Sequence, residues 1–561
     1  MKRLFVILPL VLVLAGVTAL FAQQEYIANG YSKVFEAITM PSDNAIHDGD
    51  EVHAAYDFDG DGNLEFLFLA DDTGPNSGIS NDHPCSVYLF EWNPTSSQFE
   101  LTWSYQVSDT GYASFPTMTV ADLDGDGNKE VIVGVPYNTG RPAPDANPAR
   151  LLVFESEPGV GLPAEPTATW NFEAAPGSNT RPSGMAADDI DGDGRDEIAI
   201  GFRAFSTAST NDALMIVSLD GDFSGIFTMW KAEVYDTTGD HGSIYATTVT
   251  DIDGDGHGEA CFPIYSSPNP IVFWESTGKD QYQKYVVNSY GNRTIQGAYP
   301  YDIDGDGHQE LIYATTGGDF MIVHGVTDIA TIDSTNITKV AHIQDGGFRG
   351  AAVGDIDNDG KADIFFGGNY AGTIWHAEYK GTGAITDSAS YDYEKVFEDT
   401  SGGPRIYSLA FPGDIENQME GFTAHDMTGN GYPELLAAIE DGDTTQARLL
   451  VLEYTGATDV PARPIPVVSN YHLYQNYPNP FNPSTTIKFD LKKAETVSVK
   501  IYNLNGQLVR TLLDNVKKGA GVHTVVWDGR DDSGRKVASG RYIYTLESRN
   551  FKATRVMTLL K

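Results

Sequence analysis

A nine-residue pattern that recurs seven times constrains this sequence more than any other feature. Six copies have Asp at positions 1, 3 and 5, Gly at position 6, and Glu or Asp at position 9. The start-to-start spacings are 65, 67, 62, 51, 53 and 71 residues, and self-similarity at such spacings indicates repeated supersecondary units. The copies begin at Asp57, Asp122, Asp189, Asp251, Asp302, Asp355 and Asp426.

The sequence around each copy repeats as well. An apolar segment follows every copy, for example FLFLA after the first and VIVGV after the second, and a second apolar segment and a more polar third one come next. With the small residues that precede each copy, this predicts four strands per unit, which is typical of propeller blades. Residues 23–457 are therefore predicted to form a seven-bladed β-propeller. Two packed sheets or an open array of repeats remain alternatives.

The polar strand that closes each unit is missing after the last copy. A matching segment stands near the start of the chain, at residues 31–36, and it shares Lys-Val-Phe-Glu with residues 395–398. We therefore predict an all-β chain whose propeller is closed by the N-terminal strand. Such closure hides sheet edges that would otherwise pair with other chains.

Each copy of the pattern offers an all-oxygen set of metal ligands. Gly at position 6 permits a sharp turn, and position 7 can offer its backbone carbonyl. This set suits Ca²⁺ better than Mg²⁺, which prefers few carboxylates and several waters. The predicted ligands are Asp57, Asp59, Asp61, Asn63 and Glu65; Asp122, Asp124, Asp126, Asn128 and Glu130; Asp189, Asp191, Asp193, Arg195 and Glu197; Asp251, Asp253, Asp255, His257 and Glu259; Asp302, Asp304, Asp306, His308 and Glu310; and Asp355, Asp357, Asp359, Lys361 and Asp363.

Other interpretations of the acidic pattern meet specific obstacles. Zinc is disfavoured because no Cys or His stands at a side-chain ligand position, and His257 and His308 lie where a backbone carbonyl serves. An EF-hand requires Glu at position 12 and flanking helices, whereas Phe68 and Val133 stand there. A solvated acidic turn without metal remains the alternative.

We expect about six calcium ions and a weak or absent seventh. In the last copy, Asp426–Glu434, Thr428 and Asn430 replace two carboxylates. The six intact copies each crowd four carboxylates into a small volume, and bound Ca²⁺ would remove their mutual repulsion. Calcium is thus predicted to stabilise a chain whose two cysteines, Cys85 and Cys261, are expected to be small buried side chains rather than a disulfide.

These residues resemble the FG-GAP/VCBS repeats of integrin-α-type β-propellers. The resemblance covers about residues 26–456, and Gly134-Val135-Pro136 is similar to the Gly-Ala-Pro element of that family, which the other copies lack. The resemblance implies that each acidic loop joins the first two strands of a blade and binds calcium structurally. It implies little about a ligand.

The two ends of the chain differ from the repeats. Residues 1–22 are expected to be a secretory signal peptide, with a membrane anchor as the alternative, and no span is expected in the mature chain. A Pro-rich linker is predicted at 458–470, followed by six short alternating segments that suggest an immunoglobulin-like β-sandwich at 471–561.

Charge separates the two parts. The chain carries 36 Lys+Arg and 78 Asp+Glu, a net charge of −42, which argues against a nucleic-acid partner. Residues 471–561 carry 15 Lys+Arg and 7 Asp+Glu, a net charge of +8, so the remainder is near −50. The acidic excess therefore belongs to the repeats.

The C-terminal segment looks like a type A sorting domain of the type IX secretion system. The matching segments are residues 473–483 (LYQNYPNPFNP), 499–503 (VKIYN) and 540–544 (GRYIY). The resemblance implies a partnership with the type IX machinery, export across an outer membrane, and a location in the medium or on the outer surface of a Gram-negative-type bacterium. An immunoglobulin-like accessory domain, similar to the flagellar-hook-cap module, is the alternative.

No local catalytic signature is present in the sequence. Loops on the face opposite the acidic turns carry basic and aromatic residues that could receive an acidic sugar or a partner carboxylate, although solvated side chains are the favoured interpretation. These residues are His47, His241, Arg181, Arg293, Arg349, Arg405, Tyr137, Arg141 and Arg203. Three hypotheses follow: a surface binding or adhesion module for an extracellular protein or glycan, a polysaccharide-active enzyme such as a lyase, and a structural spacer.

Overall fold

A computed structural model describes most of the repeat region and most of the C-terminal region. The described residues are 25–28, 30–38, 48–71, 85–107, 116–136, 149–171, 181–204, 213–221, 223, 229–236, 243–265, 270–288, 295–343, 347–369, 371–399, 405–411, 425–440, 448–456, 472–473, 476, 479, 481, 483–491, 495–504, 506–518, 521–549 and 551–560. The chain divides into two compact units, one of residues Ala22–Thr458 and one that contains Asp459–Lys561. The predicted signal peptide and linker lie outside the described residues.

The repeat unit consists of short strands. In chain order they are β1 (Glu25–Ile27), β2 (Tyr31–Ile38), β3 (Asp48–Tyr56), β4 (Glu65–Asp71), β5 (Ser86–Asn93), β6 (Gln98–Gln106), β7 (Thr117–Ala121), β8 (Glu130–Gly134), β9 (Leu151–Glu155), β10 (Ala168–Trp170), β11 (Arg181–Asp188), β12 (Glu197–Ala204), β13 (Leu214–Asp220), β14 (Met229–Asp236), β15 (Thr248–Thr250), β16 (Glu259–Pro263), β17 (Pro270–Gly278), β18 (Gln281–Asn288), β19 (Ile295–Tyr301), β20 (Glu310–Thr315), β21 (Asp319–Val323), β22 (Ile337–His342), β23 (Phe348–Gly354), β24 (Asp363–Gly368), β25 (Thr373–Tyr379), β26 (Tyr391–Asp399), β27 (Arg405–Ala410), β28 (Glu434–Glu440) and β29 (Arg448–Tyr454).

Consecutive strands pair antiparallel into sheets. Strands β7–β10, β11–β14, β15–β18 and β19–β22 each form a four-stranded sheet, and β23–β26 form another to which β1 adds a fifth strand. The strands of the first and last repeats join in one eight-stranded sheet through a single pair, Glu440 with Asp48. The all-β propeller prediction is confirmed. Because two repeats share one sheet, counting sheets does not count blades, and seven blades stays a prediction.

The first strands of neighbouring repeats approach one another closely. Each contacts its neighbour in chain order from β3 through β27, and β27 contacts β3 again. Small residues allow neighbouring repeats to pack closely. A Cβ added at Gly184 on β11 would lie 2.9 Å from the backbone of Ala246, and one added at Gly201 on β12 would lie 2.2 Å from the Ile244 side chain. Second strands such as β8 and β20 are buried along their whole length, as their apolar sequences predict.

The N-terminal strand completes the last repeat, as predicted. Strand β2 pairs antiparallel with β29, from Tyr31 opposite Tyr454 to Ile38 opposite Arg448. Phe35 on β2 packs edge to face against Phe90 and Phe99 of the first repeat, with ring centroids 5.6 and 5.7 Å apart. The sequence analysis did not predict β1, which pairs with β26 and so extends the sheet of the preceding repeat.

The C-terminal unit contains two small antiparallel sheets. One has the order β30–β31–β34 and the other β33–β32–β35–β36. A shared core includes the fully buried Trp527 and Tyr544, which confirms the predicted immunoglobulin-like sandwich. Its strands are β30 (His472–Leu473), β31 (Thr485–Leu491), β32 (Glu495–Asn503), β33 (Leu508–Lys518), β34 (Gly521–Trp527), β35 (Gly540–Ser548) and β36 (Lys552–Leu559).

Helix is nearly absent from the described part of the chain. It is limited there to three 3-10 turns, Ile329–Thr331, Ser334–Asn336 and Ser388–Ser390. None of the helices formed by the described residues has the length and apolar character needed to cross a membrane. Cys85 and Cys261 are both buried and unbridged, as expected from the sequence.

Candidate metal centres

The acidic loops occupy the same place in every repeat. In the first six repeats each loop begins directly after a first strand, and in all seven its ninth residue is the first residue of β4, β8, β12, β16, β20, β24 or β28. All thirty residues predicted as ligands lie in or at the end of these loops. The structure thus brings together the side chains of each copy, and their role as ligands stays a prediction.

The first Asp of each loop holds the turn together. In the first loop the Asp61 amide donates to Asp57 Oδ1 (3.0 Å) and the Gly62 amide donates to Asp57 Oδ2 (2.9 Å), and the same pair of bonds recurs in the other six loops. Positions 4 and 6 have positive φ, 72° at Gly60 and 92° at Gly62. Asn358 replaces the first glycine in the sixth loop at φ 56°, a conformation that Asn tolerates better than most residues.

The carboxylate at position 9 is buried beneath each loop. In the second and fourth loops one oxygen accepts the backbone N–H of position 2, from Leu123 to Glu130 Oε2 (2.7 Å) and from Ile252 to Glu259 Oε2 (2.9 Å). The other oxygen of each, Oε1, is buried and has no hydrogen-bond partner among the described residues. Such an orphaned carboxylate oxygen is costly unless a cation or proton satisfies it.

Burial raises the pKa of these ninth carboxyls far above the ordinary range for Glu. The pKa is raised to about 8 for Glu65 and Glu310, to about 9 for Glu130 and Glu259, and to about 10 for Glu197. Neighbouring aspartates of the same loops raise the pKa further. A divalent cation bound among these groups would instead favour their charged forms.

Carboxylate oxygens converge in several loops at distances that one ion can bridge. They lie within 4.8 Å of one another in the sets Asp57–Asp59–Asp61, Asp122–Asp124–Asp126, Asp189–Asp191–Glu197 and Asp251–Asp253–Asp255. Asp191 Oδ1 is also buried and without a hydrogen-bond partner within the described residues. The all-oxygen donors, the orphaned oxygens and the absence of sulfur ligands in these sets fit Ca²⁺.

The seventh loop keeps the same turn, and its backbone uses both oxygens of the ninth carboxylate. Both oxygens of Glu434 accept backbone N–H groups, from Met427 (2.9 Å) and Thr428 (3.2 Å). Burial raises the pKa of Glu434 only to about 7. Because Thr428 and Asn430 replace two carboxylates, a weak or absent seventh site stays the prediction.

A second acidic position escaped the sequence analysis. In five repeats the residue opposite position 9 on the next strand is Glu: Glu91, Glu155, Glu275, Glu378 and Glu453. The side chain at position 7 reaches it in two loops, where Asn63 Nδ2 lies 3.1 Å from Glu91 Oε1 and Lys361 Nζ lies 3.3 Å from Glu378 Oε1. The signal was present, because Glu ends the segments SVYLFE, LLVFE and GTIWHAE.

Neighbouring loops are hydrogen-bonded to one another. Asp196, at position 8 of the third loop, accepts the Asp122 backbone N–H of the second loop at 2.6 Å, and its own N–H donates to Asp122 O at 3.0 Å. Lys129 Nζ lies 3.3 Å from the same Asp196 carboxylate. Asn358 Nδ2 similarly donates to Gly431 O at 2.6 Å, so it links the sixth and seventh loops.

The carboxylate at position 3 of some loops also reaches the next repeat. The outer oxygen Oδ2 of Asp124 accepts the N–H of Phe223 (3.3 Å), and that of Asp253 accepts the N–H of Ile329 (2.7 Å). Asp191 Oδ2 accepts the Asp280 N–H at 2.6 Å in the same way. A carboxylate that is predicted to be a ligand thus joins a loop to the strand connection of its neighbour.

The opposite face of the repeat unit carries four of the predicted basic residues within the described residues. Arg181 and Arg405 begin β11 and β27, and Arg203 lies near the end of β12. Arg349 is only 9% exposed, so the favoured interpretation of a solvated side chain is wrong for it. His47, Tyr137, Arg141, His241 and Arg293 lie outside the described residues.

Arg203 belongs to an aromatic cluster on that face. Its guanidinium carbon lies 5.5 Å from the centroid of the Tyr245 ring, and Tyr245 meets Tyr265 edge to face at 4.8 Å. Tyr265 is 36% exposed. The sequence analysis had not brought these two tyrosines together with Arg203, because they lie at the ends of different strands.

Two protein families match parts of the chain. FG-GAP-like repeats match residues 57–133 and 302–366, which contain four of the acidic loops. The FlgD Ig-like domain matches residues 479–551. Two segments of the chain are therefore similar to FG-GAP-like repeats and a third is similar to the FlgD Ig-like domain, which corresponds to the alternative that the sequence analysis gave for the C-terminal segment.

Solved structures similar to the chain have low sequence identity to it. YCF48 from Cyanidioschyzon merolae has 12% identity and a TM-score of 0.40, covering 76% of this chain and 99% of that one. Saccharomyces cerevisiae Sqt1 has 8% identity and a TM-score of 0.39, covering 87% and 97%. PorZ, an essential surface component of the Porphyromonas gingivalis type-IX secretion system, has 11% identity and a TM-score of 0.26, covering 92% and 82%. No curated protein matches the chain.

The link between the second and third loops gives a testable prediction. Asp196→Ala leaves the Asp122 N–H and the Lys129 ammonium without their partner, and the Asp196 side chain is only 15% exposed. We expect the free energy of unfolding to fall by about 1–3 kcal/mol, as is usual for a buried donor left unsatisfied. Guanidinium denaturation measures the change.

Asp220→Ala is the matched control. It removes an exposed carboxylate from the same repeat and is expected to change the free energy of unfolding by less than about 0.5 kcal/mol. Equal effects of the two substitutions would contradict a specific role for Asp196.

Proposed function

We propose that the chain is a calcium-stabilised β-propeller that acts as a binding or adhesion module for an extracellular protein or glycan. We also propose that the type IX secretion system exports it to the outer cell surface or the medium of a Gram-negative-type bacterium. The observation that carries the calcium proposal is the buried ninth carboxylate with one oxygen used by the loop backbone and the other without a partner, as in Glu130 and Glu259.

Charge supports the same proposal. The repeats and N-terminal residues together are near −50, and the predicted ligand positions of the six intact loops account for 24 of the 78 acidic residues. Six Ca²⁺ ions would add +12 and take the whole chain from −42 to −30. Folding brings these carboxylates within 4.8 Å of one another, and bound cations would remove the resulting repulsion.

Calcium removal is the first test. Ca²⁺ at about 100 times its dissociation constant stabilises the folded state by about 2.7 kcal/mol per site. For six sites we expect EDTA to lower the thermal unfolding midpoint by on the order of 10 °C relative to calcium buffer. An unchanged midpoint would contradict the calcium proposal.

The pH dependence has a definite sign. A carboxyl whose pKa is raised on folding from about 4.3 to about 9 stabilises the fold at low pH and loses this contribution as pH rises. In EDTA the thermal unfolding midpoint should therefore decrease as the pH is raised from 5.5 to 8. The gain on adding calcium should grow over the same interval, because calcium binding displaces the protons.

One pair of variants separates the intact loops from the seventh. Glu130→Gln keeps an oxygen for the Leu123 N–H and removes the charge, so titration calorimetry should detect one calcium ion fewer than in the unchanged chain. Glu434→Gln is the control and should leave the number of bound ions unchanged. Loss of an ion in the control alone would contradict the assignment.

The binding proposal rests on the Arg203–Tyr245–Tyr265 cluster. An exposed tyrosine edge beside a guanidinium can stack on a sugar ring and pair with a carboxylate of the same ligand. The cluster lies at the end of the strands opposite the acidic loops, so a ligand there would not compete with calcium. A lyase is a second candidate. It would require a base and a charge neutraliser in one pocket. A passive spacer requires neither.

A glycan array in calcium buffer, with the full chain as probe, tests binding. We expect an acidic glycan to bind and Tyr265→Ala to weaken it by about tenfold, since stacking of one ring contributes about 1 kcal/mol or more. Tyr235→Ala, which changes an exposed tyrosine on β14, is the control and should bind normally. Appearance of unsaturated sugar products would favour the lyase, and no binding to any glycan or extracellular protein would favour the spacer.

The export proposal rests on the sorting-domain resemblance of residues 471–561. Among the described motif residues Asn476 and Phe481 are buried, whereas Asn479 and Pro483 are exposed, and Asn476 Nδ2 donates to Thr485 Oγ1 at 2.9 Å. Phe481 exchanges backbone hydrogen bonds with Thr558 and Leu560 near the chain end. These motif residues thus hold the domain together, and recognition by the machinery would fall to its exposed surface.

Truncation tests export. The intact chain should reach the surface or medium in cells with a working type IX system, and a chain that ends at residue 470 should remain inside the outer membrane. Intact cells of a strain without the system are the control and should retain both forms. Equal export of the truncated chain would favour the accessory-domain alternative.

A further inference from the structure

The sixth repeat differs from the others in the residue that pairs with the third residue of its second strand. The ninth residue of its acidic loop is Asp363 rather than Glu, and the third residue of its second strand, Phe365, pairs with His376 on β25. At the same register position the other repeats have apolar residues: Leu89, Val153, Ile216, Phe273, Ile322 and Val451. A histidine in this buried layer is therefore specific to one repeat.

His376 connects the loop carboxylate to the N-terminal strand. Its Nε2 lies 2.7 Å from Asp363 Oδ1, and its Nδ1 lies 3.1 Å from the Tyr31 hydroxyl. Nδ1 also lies 3.5 Å from Glu394 Oε1, so the ring contacts a carboxylate through each nitrogen as well as the Tyr31 hydroxyl. The ring is stacked on Phe365 at 4.5 Å and is 6% exposed, so its orientation is fixed.

Asp363 is at the same time part of the loop. Its second oxygen, Oδ2, accepts the N–H of Ile356 at 2.7 Å, as the ninth carboxylate does in the other loops. One oxygen of the Asp363 carboxylate therefore bonds to the loop backbone, and the other bonds to His376.

Tyr31 is the first residue of β2 and lies within a segment that joins two repeats. We name β1, β2 and the described residues between them the N-terminal strap. Strand β1 pairs with β26 and β2 pairs with β29, so the strap bridges two neighbouring repeats. Tyr31 is 1% exposed, and Gly30, with φ 97°, provides the turn between the two strands.

We propose that calcium binding in the sixth loop and docking of the N-terminal strap are coupled through Asp363, His376 and Tyr31. An ion held by the loop fixes the Asp363 carboxylate, which fixes His376 and so favours the docked position of the Tyr31 hydroxyl. By reciprocity, a docked strap tightens calcium binding at this one loop. The inference rests on the calcium proposal above.

Hydrogen exchange of the full chain, with calcium alone as the added ligand, tests the coupling. We expect amides of β1 and β2 to exchange at least about tenfold faster in EDTA than in calcium. Asp357→Asn, which removes a predicted ligand of the sixth loop, should cause the same acceleration in calcium. Asp124→Asn makes the equivalent change in the second loop and should leave exchange in the strap unchanged.

A mild variant tests the coupling without opening the ring. Tyr31→Phe removes only the hydroxyl, so the strap should remain docked while calcium no longer slows its exchange. His376→Gln should weaken one of the calcium sites by about 10-fold or more in calorimetry, as is typical when a partner of a metal ligand is lost.

Two outcomes would overturn the proposal. One is equal exchange of the strap in calcium and EDTA while the acidic loops respond to calcium, and the other is equal release of the strap by Asp357→Asn and Asp124→Asn. Absence of any calcium-binding heat would instead reject the calcium proposal itself, so the two failures are distinguishable.

Discussion

The structure of the repeat unit depends on carboxylates buried at the base of tight turns. Each ninth residue is almost fully excluded from solvent, and one of its oxygens fixes the backbone of the turn above it. A charge in that place is unfavourable without a counterion, as the raised pKa of Glu197, about 10, reflects. The fold therefore places an electrostatic cost at the junction of the first two strands of every repeat.

The same turns connect the repeats to one another. Asp196 bonds to the preceding loop, and Asp124, Asp191 and Asp253 each use an outer oxygen to hold a strand connection of the next repeat. Neighbouring repeats also pack closely at glycines, such as Gly184 on β11 and Gly201 on β12. Bound cations would thus act on the interfaces between sheets as well as on single turns.

The sequence predicted those features that depend on short spacing. The turn geometry, the strand after each turn and the pairing of β2 with the last repeat all followed from local patterns, the last because residues 31–36 resemble residues 395–398. Features that depend on distant partners did not follow. Examples are strand β1, the burial of Arg349, and the contact of His376 with Tyr31, 345 residues away. Each depends on residues that only folding brings together.

The position of β29 has a mechanical consequence. It is the last strand of the repeat unit, and it lies between β28 and β2, antiparallel to both. Tension applied through the C-terminal unit would enter β29 along its length and load two ladders of hydrogen bonds in shear at once. Because one ladder belongs to the N-terminal strand, the two ends of the propeller would share the load, and the ring would resist unravelling from its tethered end.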